Sequence, residues 1–343
     1  GPGPTGDKRL SLPLHRAIEK ALAQKEQTIL FLNRRGFSPS VRCESCGEML
    51  SCPHCSVALT FHLSFKKGGT GSLRCHYCDF RTELPDACPK CKEESLVLEG
   101  LGTEKLEETL QAAFPEAKIA RLDRDVATGK NIEKIIERVR NREVDILVGT
   151  QMVTKGHDLP HVTLVGVVNA DAALSMPDFR AAERTFHLLV QVAGRAGRGD
   201  TAGKVLIQTY DPDHPAISYA TKHDVMGFLE RELLDRKELA YPPFTRAALV
   251  RVDSLNEHEA RDTAAALAEI ARKAAAQETC KVHVLGPAPA PLSRLRARYR
   301  FRVMLRCAER TPLRRVLLAV ERSRAQFPRS VRTGIDVDPV QLL

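Results

Sequence analysis

The sequence predicts an α/β protein that carries a cysteine-rich insertion and is followed by an α+β domain. Three observations lead there. Short apolar runs without alternation, such as Thr28–Leu32, Val144–Val148 and Val162–Val168, have the pattern of strands buried on both faces of a parallel sheet. Amphipathic stretches with helical spacing separate such runs, which is the alternation of a right-handed βα architecture. Eight cysteines between Cys43 and Cys91 fall into four C-x-x-C pairs that interrupt the alternation after its first strand.

In chain order, Leu14–Gln24 reads as a helix with Leu14, Ile18, Ala21 and Leu22 on one face. Thr28–Leu32 is the first strand. Asn33-Arg34-Arg35-Gly36 follows at its end, where open α/β sheets carry functional loops. Beyond the cysteines, Thr103 caps a helix running to Phe114, Lys118–Leu122 is a strand and Ile132–Arg140 a helix. Val144–Val148 and Val162–Val168 are strands. Asp178 caps a long helix to about Val192, and Lys204–Thr209 closes the set. Residues 7–41 and 98–226 thus make one domain, with 42–97 as its insertion.

Phe228–Leu239 reads as a charged helix ended by Tyr241-Pro242-Pro243-Phe244, a natural boundary. Residues 227–343 form the last domain. Its pattern is strand (Ala247–Val252), helix (Asn256–Ala276), strand (Lys281–Leu285), strand (Arg298–Arg306), helix (Pro312–Gln326), strand (Val331–Val337). This βαββαβ order is ferredoxin-like, with Pro287–Pro291 as a stiff loop between the middle strands. Gly1-Pro2-Gly3 reads as a tag remnant, so residues 1–6 are set aside as tag and linker.

Each C-x-x-C pair lets a tight turn aim two thiolates at one tetrahedral ion. Four pairs suffice for two closed, structural Cys₄ zinc sites. A nested arrangement is expected, because it makes the chain enter and leave the module at one place. Cys43, Cys46, Cys88 and Cys91 then hold the outer zinc, and Cys52, Cys55, Cys75 and Cys78 the inner one. His54 and His76 are surplus as ligands and read as exposed or as supports of the ligands. Cys280 and Cys307 lack zinc spacing and read as small buried hydrophobes or partly exposed thiols.

The net charge of +9 over 343 residues favours a polyanionic partner. No apolar run reaches the roughly 18 residues of a membrane span. No secretory leader pattern stands at the start, so a cytoplasmic protein without a membrane association is expected. Aromatic residues are 5% and Trp is absent, which argues against reading bases mainly by stacking.

Two further stretches carry chemistry. Gly149-Thr150-Gln151-Met152-Val153-Thr154-Lys155-Gly156-His157-Asp158 places glycines, hydroxyls and a lysine at the end of a strand, where they suit phosphate contact. An ordinary strand-to-helix loop would look similar. Gln191-Val192-Ala193-Gly194-Arg195-Ala196-Gly197-Arg198 ends the long helix. Its two arginines can bring forked, permanent charges to a γ-phosphate. A glycine cap with solvated arginines is the plain alternative.

Taken together, these stretches resemble motifs V and VI of superfamily 2 helicases. Further matches are Phe31-Leu32-Asn33-Arg34-Arg35-Gly36, Gly100-Leu101-Gly102-Thr103-Glu104 and Arg121-Leu122-Asp123-Arg124-Asp125. With the eight-cysteine insert and Tyr241-Pro242-Pro243-Phe244, the chain resembles the PriA family of bacterial replication-restart helicases, over nearly all residues after the tag.

The resemblance implies a RecA-like second helicase lobe with an inserted two-zinc module, and a first lobe that is missing. Gly129-Lys130 is followed by Asn131 rather than Ser or Thr, and no DEAH-type box is present. The chain alone is therefore expected not to hydrolyse ATP. The family roles fall on matching positions. Arg195 and Arg198 would reach ATP·Mg²⁺ bound mainly by the first lobe, with Arg198 as arginine finger, and Gln191 would couple nucleotide to DNA. Gly156 and Asp158 would lie on the ATP side, and Thr150 and Lys155 on the tracking DNA strand.

The implied activity is 3′→5′ movement along single-stranded DNA, recognition of stalled or collapsed forks, and primosome assembly by a monomer. The zinc module would act as wedge and partner-docking element. The competing reading is a DNA- and protein-binding scaffold for the primosome without a catalytic role.

One feature belongs to this sequence. Arg294, Arg296, Arg298, Arg300 and Arg302 alternate with Leu295, Ala297, Tyr299, Phe301 and Val303, and few acids lie nearby in sequence. In one extended strand all five would share a face. They would then suit DNA phosphates or the acidic tail of single-strand-binding protein, with Arg298 and Arg300 at the centre.

Overall fold

The computed structural model describes residues 9–32, 40–55, 57–62, 71–98, 103–122, 130–150, 159–194, 203–340 and 342. It opens with α1 (Leu12–Ala23) and β1 (Gln27–Leu32). Five short strands follow in the cysteine region: β2 (Val41–Cys43), β3 (Thr60–His62), β4 (Ser72–Arg74), β5 (Arg81–Glu83) and β6 (Leu96–Leu98). Next come α2 (Thr103–Ala113), β7 (Ile119–Leu122), α3 (Lys130–Arg140), β8 (Ile146–Gly149), β9 (Val162–Val168), α4 (Asp171–Leu174), α5 (Ala181–Ala193) and β10 (Lys204–Ile207). Helices α6 (Pro215–Thr221) and α7 (Val225–Glu238) lead to the tail. The tail consists of β11 (Arg246–Ser254), α8 (Glu257–Ala275), β12 (His283–Leu295), β13 (Arg298–Cys307), α9 (Arg310–Ser323) and β14 (Arg332–Val337).

These elements make two compact units. The first comprises Gly1–Gly36, Gly100–Leu174 and Ala182–Phe228. Its sheet runs β10-β9-β1-β8-β7, parallel throughout. Every residue of the central strand β1 is buried, as a strand with helices on both faces must be. Alternate residues serve opposite layers. Leu30 and Leu32 pack with Leu14 and Ile18 of α1 and Leu106 and Leu110 of α2. Ile29 and Phe31 pack with Ile136 and Val139 of α3 and Phe186 and Leu189 of α5. Gly166 in β9 is what brings α1 so close. A Cβ there would lie 2.6 Å from Leu30 and 2.8 Å from Leu14 side-chain carbons.

The second unit comprises Phe37–Glu99, Ser175–Ala181 and Leu229–Leu343. Its main sheet is antiparallel in the order β12-β13-β11-β14, as the ferredoxin-like pattern requires. Helices α8 and α9 cover one face through Ala264, Leu267, Val316 and Val320, against Val250, Val303 and Leu305. The other face packs Leu249 and Met304 against Val41, Leu50, Leu73 and Tyr77 of the cysteine module. The module therefore shares a core with the tail, whereas its sequence position suggested an insert of the α/β domain.

Two sequence expectations need correction here. Pro287–Pro291 is not a loop between strands. It lies inside β12, where pairing with β13 is irregular between Leu285 and Ala288 and again between Pro289 and Arg294. A proline has no N–H to donate, so an edge strand tolerates it where an interior strand would not. The arginine run is also not one strand. Arg296 and Ala297 take left-handed φ values of 50° and 63° and turn the chain into the β12–β13 hairpin. Arg294 thus lies on one strand, Arg296 in the turn, and Arg298, Arg300 and Arg302 on the other.

Candidate functional site

The four C-x-x-C pairs fold alike. Cys43, Cys52, Cys75 and Cys88 each donate their N–H to the carbonyl five residues on, at 2.8–2.9 Å. Among the described residues, the N–H four residues on returns to the first cysteine's carbonyl from Gly47, Asp79 and Lys92. Those three residues have φ of 76°, 67° and 66°. Each turn thereby leaves both thiols on the same side. The ten cysteines are all free of disulfides. Eight of them gather as Cys43, Cys46, Cys88, Cys91 and as Cys52, Cys55, Cys75, Cys78, with all sulfurs of a set within 4.8 Å of one another. This is the nested pairing expected from the sequence.

The geometry fits zinc. A tetrahedral ion with Zn–S near 2.3 Å holds its sulfurs about 3.8 Å apart. Cys43 and Cys91 are separated by 3.5 Å, Cys46 and Cys88 by 3.7 Å, and Cys52 and Cys78 by 3.7 Å. Four thiols this close cannot all ionise without a cation. Hydrogen bonding from Cys55 lowers Cys75 to about 5, while burial pushes Cys52 up to about 12. The outer set has a hydroxyl relay as well: Ser45 Oγ donates to Ser95 Oγ at 2.8 Å, and Ser95 Oγ lies 3.1 Å from Cys43 Sγ. Ser95 holds Cys43 at about 6. Two zinc ions held by these eight cysteines would supply the missing charge, and with four thiolates each their role would be structural.

The two sets differ in their surroundings. Cys52, Cys55 and Cys75 belong to the core shared with the tail sheet, while Cys46 is exposed and Cys91 half-buried. Tyr241 Oη donates to the carbonyl of Cys55 at 3.1 Å. Arg302 Nε donates to the carbonyl of His76 at 2.9 Å, and its guanidinium lies over the Tyr77 ring. His76 is fully buried and hydrogen-bonded through Nδ1 to the Pro289 carbonyl at 2.8 Å. Burial, then the Arg302 charge, lowers it to about 3, so it is a neutral support of the inner turn. His54 is exposed and meets Phe80 edge-on. Neither histidine joins a ligand set.

The phosphate-contact candidates follow the sheet of the first unit. Thr150 sits at the C-terminal end of β8, half-buried, with its N–H on the Leu122 carbonyl at 3.3 Å. Gln191 is exposed near the end of α5, whose last turn closes with Gly194 N–H on Val190 O at 3.2 Å. Lys155, Gly156, Asp158, Arg195 and Arg198 lie outside the described residues. Arg121, at the end of β7, pairs with Glu104 at 3.2 Å and Glu107 at 3.6 Å. Two of the stretches singled out in the sequence are thus tied by a salt bridge, one through Glu104 in the first turn of α2 and one through Arg121 in β7. Glu107 gave no sequence signal of its own.

Comparison with known proteins adds three domain matches. A model described as PriA DNA helicase Cys-rich region (CRR) domain matches residues 52–82, and one described as Helicase conserved C-terminal domain matches residues 91–200. Primosomal protein N C-terminal domain matches residues 237–340. The chain is 41% identical over 333 residues to the replication restart protein PriA of Synechocystis sp., covering 97% of this chain and 39% of that protein. It is 38% identical to PriA of Bacillus subtilis and 39% identical to PriA of Haemophilus influenzae, again over 97% of this chain and over 41% and 45% of those proteins.

The chain belongs to the PriA family.

It spans less than half the length of these three relatives. The PriA Cys-rich match covers the inner zinc set, and the helicase match runs from the last zinc ligand through Arg198. Within the PriA C-terminal domain, the arginine run is divided in role. Arg298, 17% exposed, is bound by the Asp253 carboxylate, with further bonds to the Asp253 carbonyl at 2.9 Å and the Ser330 carbonyl at 3.1 Å. Arg302 is 3% exposed under the zinc module, and neither Nη has a hydrogen-bond partner among the described residues. Arg300 is half-buried, opposite Asp253 and near Arg251. Burial, then Arg251, lowers its pKa. Arg294 stacks on Tyr299 and remains exposed. The expectation that acids were too few to balance the run fails at Arg298, because its partner stands 45 residues away in sequence.

Proposed function

We propose that this chain is the second lobe, zinc module and C-terminal domain of an ATP-dependent 3′→5′ DNA helicase that restarts replication at stalled or collapsed forks. The observation that carries the reading is the helicase C-terminal match over residues 91–200, placed on a five-stranded parallel sheet with Thr150 at a strand end. Arg195 and Arg198 then stabilise charge on the γ-phosphate of ATP·Mg²⁺ held by a first lobe, and Gln191 links that event to DNA. Gly156 and Asp158 line the nucleotide side, and Thr150 and Lys155 grip the tracking strand. Forked and single-stranded DNA, the tail of single-strand-binding protein and other primosome proteins are its partners. It works as a monomer in the bacterial cytoplasm, near the nucleoid. No helix among the described residues is long and apolar enough to cross a membrane.

The test is DNA-stimulated ATP hydrolysis by the full-length protein. Arg198→Ala lowers kcat at least about 100-fold with little change in KM, since an arginine finger acts mainly in the transition state. Unchanged turnover would leave these domains as a primosome scaffold.

A further inference from the structure

We propose that Cys280 and Cys307 form a redox-responsive dithiol in the C-terminal domain, closed to a disulfide by exchange with a low-molecular-weight disulfide. Their Sγ atoms lie 3.5 Å apart, although 27 residues separate them in the chain. The other eight cysteines are taken by the two Cys₄ sets, and among the described residues no third ligand group joins this pair.

The two thiols are unequal. Cys307, at the end of β13, is 1% exposed. Cys280 is half-buried in the bend between α8 and β12, outside any helix or strand. Burial raises the Cys307 thiol above its usual range, so the accessible Cys280 attacks first. Its thiolate takes one sulfur of the small disulfide and expels one thiolate, leaving a mixed disulfide on Cys280. Cys307 then gives up its proton and attacks the Cys280 sulfur, expelling the second small thiolate. The protein dithiol is oxidised, one small disulfide is reduced, and two small thiols are released. Closing 3.5 Å to the roughly 2 Å of a disulfide asks only for local movement, which the irregular backbone at Cys280 permits. The bond would fasten the start of the edge strand β12 to its neighbour β13, where His283 already pairs with Arg306.

The zinc-loaded chain is equilibrated in glutathione buffers of stepped redox ratio, quenched with acid, alkylated and analysed by mass spectrometry. Bound zinc is counted on the same samples. The expected result is a Cys280–Cys307 cross-linked peptide with two zinc per chain retained. The unfolding midpoint of the C-terminal domain should also rise by about 10 °C. The C307S variant should halt with one glutathione on Cys280, and C280S should form no adduct in the tail. Recovery of both residues as free thiols in fully oxidised glutathione overturns the proposal. A cross-link that appears only after zinc has left does so equally.

Discussion

Arg298 and Arg300 stand two residues apart on one strand and face the same way, yet their surroundings assign them different work. Arg298 spends its guanidinium on Asp253 and two carbonyls. Arg300 has burial and the like charge of Arg251 against it, with Asp253 favouring its charge, and that acid is engaged by Arg298. A cation in that position gains from an added anion, and a DNA phosphate is one. Arg300→Gln is therefore predicted to weaken binding of single-stranded DNA several-fold and to lower the salt slope by about one, with stability changed by less than about 1 kcal/mol. Arg298→Gln is predicted to cost about 1–3 kcal/mol of stability, discounted for partial exposure, and to leave the salt slope unchanged. Fluorescence anisotropy at several salt concentrations and urea unfolding read these quantities. A slope that answers to Arg298 and not to Arg300 would refute the division.

At the scale of elements, the zinc turns were largely legible because their determinants are local. C-x-x-C spacing dictates a turn, and nesting follows from where the chain must enter and leave. Gly47 advertises the left-handed position of its turn, whereas Asp79 and Lys92 hold the same conformation without that signal. The β12–β13 hairpin escaped for the same reason, since Arg296-Ala297 contains none of the usual turn residues. The packing of the inner set on Leu249 and Met304 was not legible either, because contacts between distant segments leave no local pattern. That packing makes the two zinc sites unequal. Cys75→Ser is predicted to lose one zinc and to lower the unfolding midpoint of the C-terminal unit by at least about 8 °C. Cys46→Ser should lose one zinc with less than half that shift, because Cys46 lies at the surface. Metal analysis and calorimetry on both variants check this, and equal shifts would mean that the shared core transmits nothing.

For the whole molecule, the sequence order and the compact units disagree, and the disagreement has a thermodynamic consequence. The α/β pattern was readable because strands buried on both faces are apolar throughout, and the βαββαβ order was readable from its periodicities. Which of the two would share a core with the zinc module was not written in either pattern. The structure places the module with the tail, through Tyr77, Tyr241 and Met304. Zinc that binds the folded module more tightly than the unfolded chain stabilises whatever folds cooperatively with that module. Removing zinc with a strong chelator should then expose amides of β11 and β13 to hydrogen exchange, while β1, β8 and β9 of the parallel sheet keep their protection. In calorimetry one transition should fall by more than about 10 °C and the other by less than about 2 °C. Two results would break the argument. If β13 keeps its protection after chelation, the module folds by itself. If β1 loses protection together with β13, the module belongs energetically to the α/β sheet that its sequence position interrupts.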